Sequence, residues 1–202
     1  MAREKRAAFA DEDYWGRPLP GFGDRGGPVY VLGLAPAAHG GNRTGRIFTG
    51  DRSGDWLFAS LHRTGFANQP NSDRPGDGLR LDGAFIAAAV RCAPPANKPL
   101  PQELDNCLPY AAEELELLRP AVIVCLGSFA WAAACRLLNI KPRPRFGHGA
   151  EHDPGEGPVL LGSYHPSQQN TFTGKLTEEM LDAVFGRARE LAAAAPTRPS
   201  PR

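Results

Sequence analysis

No stretch of this chain is apolar for long enough to cross a membrane. The first residues also lack the apolar core of a secretory signal, so a cytoplasmic protein is expected. Charge of one sign is missing. The 23 Lys and Arg stand against 22 Asp and Glu, for a net charge of +1, so bulk charge does not announce nucleic acid and any basic surface must be local. Cysteine is scarce: Cys92, Cys107, Cys125 and Cys135 are the only four in 202 residues. Disulfides are rare in the cytoplasm, so these read as metal ligands or buried thiols. The glycine-rich segments hold no Gly-Lys-Ser/Thr of the phosphate-binding type, which argues against a P-loop enzyme. There are no internal repeats.

What is present is glycine and proline, 23 and 20 residues, concentrated between short apolar runs. Those runs are Val29–Leu34, Phe85–Val90, Ala121–Leu126 and Val159–Ser163, each apolar almost throughout. Strands of that kind are buried on both faces and belong to parallel sheets. Helical patterns alternate with them. Asp55–Thr64 has helical apolar spacing, and Pro99–Leu118 carries one or two helices with Pro109 expected to open the second. Phe129–Leu138 follows with Ser128 as a cap, and Thr177–Ala195 follows with Thr177 as a cap. Asn68–Asp82 is polar and turn-rich. The expected fold is a three-layer α/β/α sandwich around a mostly parallel four-stranded sheet. Residues 1–27 read as a helix over Arg3–Tyr14 plus a linker. The helix lacks a cap, as if the start of an element were missing. Residues 28–195 read as one domain, and 196–202 as a disordered Pro/Ser/Arg tail.

Two glycine-rich loops frame the domain. Gly33-Leu34-Ala35-Pro36 opens the first, which runs on through Arg43, Arg46 and Phe48 to Thr49-Gly50-Asp51. The second is Tyr164-His165-Pro166-Ser167-Gln168-Gln169-Asn170. Each follows a strand, and loops at the carboxyl ends of parallel strands converge on one crevice. The pair therefore reads as two walls of a single site, one bringing Phe48 and Asp51, the other His165. Basic residues cluster in the first loop (Arg43, Arg46, Arg52) and in Lys141, Arg143 and Arg145. They read equally as ligand-facing groups or as a solvated surface.

The first loop resembles the opening motif of the family 5 uracil-DNA glycosylases, and the second is similar to the His-Pro-Ser motif of that superfamily. Between them, Arg91-Cys92-Ala93-Pro94-Pro95-Ala96-Asn97-Lys98-Pro99 together with Cys107 resembles the same family's iron–sulfur segment. The resemblance runs from about residue 3 to about residue 190. It implies a monofunctional, hydrolytic enzyme of DNA base-excision repair that removes uracil and leaves an abasic site. It also implies a bacterial, nucleoid-associated location and DNA containing uracil or other deaminated bases as the partner. A monomer is the default.

A glycosylase flips its base into a pocket and stabilises positive charge on the sugar and negative charge on the leaving base. On the resemblance, His165 contacts the uracil carbonyl oxygen; its alternative is a histidine satisfied by backbone at a strand end. Asp51 serves as anion or general base, or else caps the next helix. Asn97, in a proline-stiffened loop, faces base or water, or else merely shapes a turn. Phe48 stacks on the base, or else fills the core. Gly33, Leu34 and Ala35 bring backbone close to the base. Arg43, Arg46, Ser167, Gln168, Gln169 and Asn170 are candidates for DNA contact. Other branches carry a polar residue where this chain has Ala35, and an asparagine where it has Ala87-Ala88-Ala89. Missing polar readers relax discrimination, so hypoxanthine is expected as a further substrate. The alternatives are a family 4-type enzyme and a non-catalytic module that captures uracil or abasic DNA.

Cys92 and Cys107 match the second pair of ligands of the family's [4Fe–4S] cluster, which takes four thiolates. The first pair lies upstream of the segment matching Arg3–Phe9. Either the natural chain starts earlier or this form has lost the cluster. Cys125, mid-strand, and Cys135, on a helix among alanines, read as packing.

Overall fold

The computed structural model describes residues 5–195. The tail expected over 196–202 and the first residues, 1–4, lie outside the described residues. Six strands form one sheet: β1 (Phe22–Gly23), β2 (Val29–Gly33), β3 (Ala84–Ala88), β4 (Val122–Leu126), β5 (Glu151–His152) and β6 (Val159–Ser163). Their order is β1-β3-β2-β4-β6-β5. The inner four are parallel and are the four apolar runs of the sequence. The sheet is nevertheless six-stranded, because β1 and β5 pair antiparallel at its two edges. Each edge strand is two residues long and only partly buried, too short to leave an apolar run.

The helices are α1 (Gly41–Thr44), α2 (Arg52–Arg63), α3 (Pro101–Leu118), α4 (Ser128–Leu137), α5 (Gln168–Phe172) and α6 (Glu178–Ala194). Side chains alternate across the sheet. Val29 and Val31 face α2 and α6, packing with Leu57, Phe58, Leu61, Leu181 and Phe185. Tyr30 and Leu32 face the other way, against Leu108 of α3 and Ala130, Trp131 and Ala134 of α4. This is the three-layer α/β/α arrangement.

Four local expectations are corrected. Of the helix expected over Arg3–Tyr14, the described part, residues 5–14, holds only one 3-10 turn, Ala7–Phe9, which buries no residue to stabilise anything longer. Pro109 does not open a second helix but lies inside α3. Pro109 and Asp105, four residues earlier, are both exposed, so the carbonyl left without its intrahelical partner faces water. Ser128 makes no capping bond; Gly127, at φ +94°, occupies the N-cap of α4. Helix α2 begins at Arg52 rather than Asp55, because Asp51 caps it. Thr177 does cap α6, accepting a hydrogen bond from the Met180 N–H.

Candidate active site

The carboxyl ends of β2, β3 and β6 open onto a cavity of about 450 Å³, within the range of small-molecule sites. Leu34, Ala35, Pro36 and Ala37 line it from the end of β2. Ile47, Phe48 and Asp51 come from the segment leading into α2 and Ser53 from its first turn, Asn97 from the loop after β3, His165 and Ser167 from the loop after β6, and Gln169 from α5. Asp51, His165, Asn97, Phe48, Leu34 and Ala35 thus meet in one place although they span most of the chain. Gly33 lies beneath: a Cβ there would come 2.8 Å from the Phe48 ring.

The capping reading of Asp51 is met, and the same side chain borders the cavity. Its Oδ1 accepts the Gly54 N–H at 3.0 Å, capping α2, while the carboxylate also borders the cavity. Burial raises its pKa, and the N–H groups of Gly54 and Ser53 only partly offset that. Gly50, at φ +75°, makes the turn that presents it.

His165 follows β6 directly. Burial lowers its pKa to about 4, so the ring is neutral at physiological pH. A neutral imidazole keeps one N–H donor and one acceptor. No hydrogen bond to this ring is found among the described residues. The backbone around it is held: Asn170 Nδ2 donates to the His165 carbonyl at 2.8 Å, and the Ser167 N–H donates to it at 2.7 Å. The Phe48 ring lies 5.9 Å from the His165 ring, centroid to centroid, tilted by 33°. Phe48 is part of the core, as one of its readings had it, and also lines the cavity. Its φ of +51° is unusual for a bulky residue. Asn97 sits exposed on the rim of the cavity at φ +54°, a conformation asparagine tolerates, within the short 3-10 turn Pro95–Asn97.

Three of the residues expected at DNA have partners within the protein, and for Arg46 burial argues against that contact. Arg46 is buried, 6% exposed, with its guanidinium on Asp77, Thr49 and Ser72. Arg43 clamps its own loop: it donates to Glu12 at 2.6 Å and to the His39 carbonyl at 2.8 Å, and stacks on Phe9. The Asn170 side-chain amide is engaged by the His165 carbonyl. Gln168 and Gln169 remain exposed. Two further cations pack on aromatic rings beside this loop, Arg52 over Phe172 and Lys175 over Tyr164. Phe172, 70% exposed, and Lys175 were missed in the sequence; an aromatic closing an otherwise polar helix was the available signal.

The cysteines divide as expected by position. Cys125 and Cys135 are buried in the core beside α4. Cys92 is exposed and Cys107 half-buried, away from the cavity. The Arg91 N–H donates to Cys107 Sγ at 3.4 Å. Burial, and then the nearby Cys107, push the Cys92 thiol up. Two thiols make half the ligand set of a cubane. No group of three or more His, Cys, Asp and Glu suited to a metal ion occurs among the described residues. The residues present therefore do not fit a complete [4Fe–4S] site.

A family model described as the Uracil DNA glycosylase superfamily matches residues 20–189. A "Type-5 uracil-DNA glycosylase" of Mycobacterium tuberculosis (strain CDC 1551 / Oshkosh) is 55% identical over 196 residues, covering 95% of this chain and 73% of that protein. One from Thermus thermophilus is 48% identical over 190 residues, covering 93% of this chain and 86% of its own. A "Type-4 uracil-DNA glycosylase" of Pyrobaculum aerophilum is 32% identical over 122 residues, covering 60% of this chain and 55% of its own.

Proposed function

The chain belongs to the uracil DNA glycosylase superfamily, and on that premise we propose that it hydrolyses the N-glycosidic bond of uracil in DNA and leaves an abasic site. The observation that carries this is the convergence of Phe48 and Asp51, Asn97, and His165 on one cavity from three separate segments.

The chemistry assigns each a task. A flipped base enters between Leu34-Ala35 and the Phe48 ring. As the C–N bond breaks, electrons move onto the base. Neutral His165 donates its N–H to the developing base oxyanion, a donor aimed at charge that appears only in the transition state. Positive charge develops on the deoxyribose, and the Asp51 carboxylate stabilises it and accepts a proton from the attacking water. Its raised pKa suits a base, since proton acceptance improves as the pKa approaches the working pH. Asn97 on the rim orients base or water through its amide. Gln168 and Gln169 face the DNA, with Arg52 and Lys175 supplying phosphate contacts.

The pocket wall at Ala35 carries no polar side chain, so hypoxanthine and other deaminated bases are accepted besides uracil. For a [4Fe–4S] cluster this chain offers Cys92 and Cys107, two ligands of four, and no step is assigned to it.

Single-turnover excision on a labelled oligonucleotide holding one uracil, followed by alkaline cleavage of the abasic product, tests the proposal. Hypoxanthine and thymine strands run beside it. Cleavage at uracil and hypoxanthine but not thymine is the expected result. Specific binding without cleavage would replace the enzyme with a capture module.

A further inference from the structure

The sequence marked Arg46 as a DNA contact, and the structure leaves it with a different task. Its guanidinium lies inside the protein between two loops. Nε donates to Thr49 Oγ1 and Nη2 to Ser72 Oγ, both at 2.9 Å. Nη1 and Nη2 clasp the two carboxylate oxygens of Asp77, 31 residues away. A planar fork on a carboxylate fixes angle as well as distance. Thr49 and Ser72 close the ring, their hydroxyls 2.7 Å apart, and the Gly50 N–H donates to the Ser72 carbonyl at 3.1 Å. Asp77 also accepts the N–H groups of Asp73, Arg74 and Leu79. Burial opposes the Asp77 charge, but Arg46 and these N–H groups outweigh it and hold the carboxyl well below the usual range.

The residues so locked are 46, 49 and 50. Between them sits Phe48 in the left-handed region, and directly after them comes Asp51. A strained backbone persists only where its surroundings over-determine it. Here the over-determination comes from a polar strap outside the cavity.

We propose that Arg46 and Asp77, with Thr49 and Ser72, form a positioning network that holds the Phe48 ring and the Asp51 carboxylate in register for base excision, without touching DNA. The proposal rests on the glycosylase reading. Asn68–Asp82, which the sequence shows only as a polar, turn-rich connection, serves as the site's brace.

The test uses the full chain. Wild-type excision of uracil is measured first, and its absence would sink the glycosylase reading itself. With that activity in hand, Asp77→Asn and Arg46→Lys are compared with Leu108→Ala, a core change on the opposite face of the sheet. The saturating single-turnover rate is expected to fall on the order of ten- to a hundredfold in the strap variants, the scale of a small misplacement of reacting groups. The DNA concentration giving half-saturation is expected to stay within about threefold, since no DNA contact is removed. Leu108→Ala is expected to lower Tm at least as much and to keep the wild-type rate. Wild-type rates in Asp77→Asn, or an equal loss in Leu108→Ala, would overturn the proposal. If Asp77→Asn does not fold, Ser72→Ala decides. That variant removes one hydroxyl: a several-fold slower rate at unchanged half-saturation supports the network, and an unchanged rate rejects it.

Discussion

Gly40 has no room for a side chain because Asp51 occupies it: a Cβ there would overlap Oδ2 of the carboxylate. The loop after β2 and the N-cap of α2 are thus fitted to each other at the atom proposed to face the sugar. Gly40→Ala is expected to displace the carboxylate and slow single-turnover uracil excision on the order of a hundredfold. Helical content by circular dichroism should be retained, because the core clusters do not depend on Gly40. Wild-type excision in this variant would show that the position of Asp51 is unimportant.

Asp51 also sets an expectation in pH. Its folded pKa is raised by burial. A carboxyl raised in the folded state favours folding while protonated and loses that contribution as pH climbs through the folded value. At neutral pH the charge therefore opposes folding. Asp51→Asn keeps a good cap and removes the charge. It is expected to raise Tm at pH 7, to leave Tm unchanged well below the ordinary carboxylate value of about 3.9, and to slow excision by about two orders of magnitude or more. Thermal melts across pH check the first pair of statements, and single-turnover rates the last.

The same group shapes the activity profile. Excision is expected to rise with pH along one ionisation lying above the ordinary carboxylate range, that of Asp51. His165, with its pKa lowered to about 4, is already neutral there and adds no limb near neutrality. A second inflection near the usual histidine value of about 6.5 would show that the imidazolium form participates.

His165→Ala is expected to cost about 10² to 10³ in single-turnover rate, the usual loss for one transition-state donor. The loss should be the same at every pH where Asp51 is ionised, and DNA binding should persist. A rate restored at low pH would argue against a neutral donor.

Away from the site, burial and exposure predict opposite sensitivities. Phe185 is fully buried between α6 and the sheet, and Phe185→Ala is expected to cost about 3–5 kcal/mol by urea denaturation. Arg63 joins α2 to α6 through Asp182 at 2.6 Å and Glu178 at 3.1 Å, but the pair is solvent-exposed. Arg63→Ala is expected to cost about 1 kcal/mol or less, with excision unchanged.

Much of this was legible in the chain. The four inner strands are five-residue apolar runs, a pattern that only a doubly covered sheet explains. The two loops could be placed at one crevice because loops after parallel strands share an end of the sheet. The edge strands were not legible, since two residues each, none of them fully buried, carry no period. Pro109 misled because its consequence depends on whether the Asp105 carbonyl meets water, which composition does not report.

The sequence by itself determined the layers, the order of elements and the presence of Phe48, Asp51 and His165 on the loops of one crevice, because apolar burial is set by residues near in sequence. The tertiary structure alone decided what each polar group does there. Asp51 is cap and site wall together because the start of α2 lands at the cavity. Arg46 is a brace rather than a DNA contact because Asp77 arrives beside it from 31 residues away. The energy of a charge depends on which partners and how much water surround it, and those are settled only when distant segments meet.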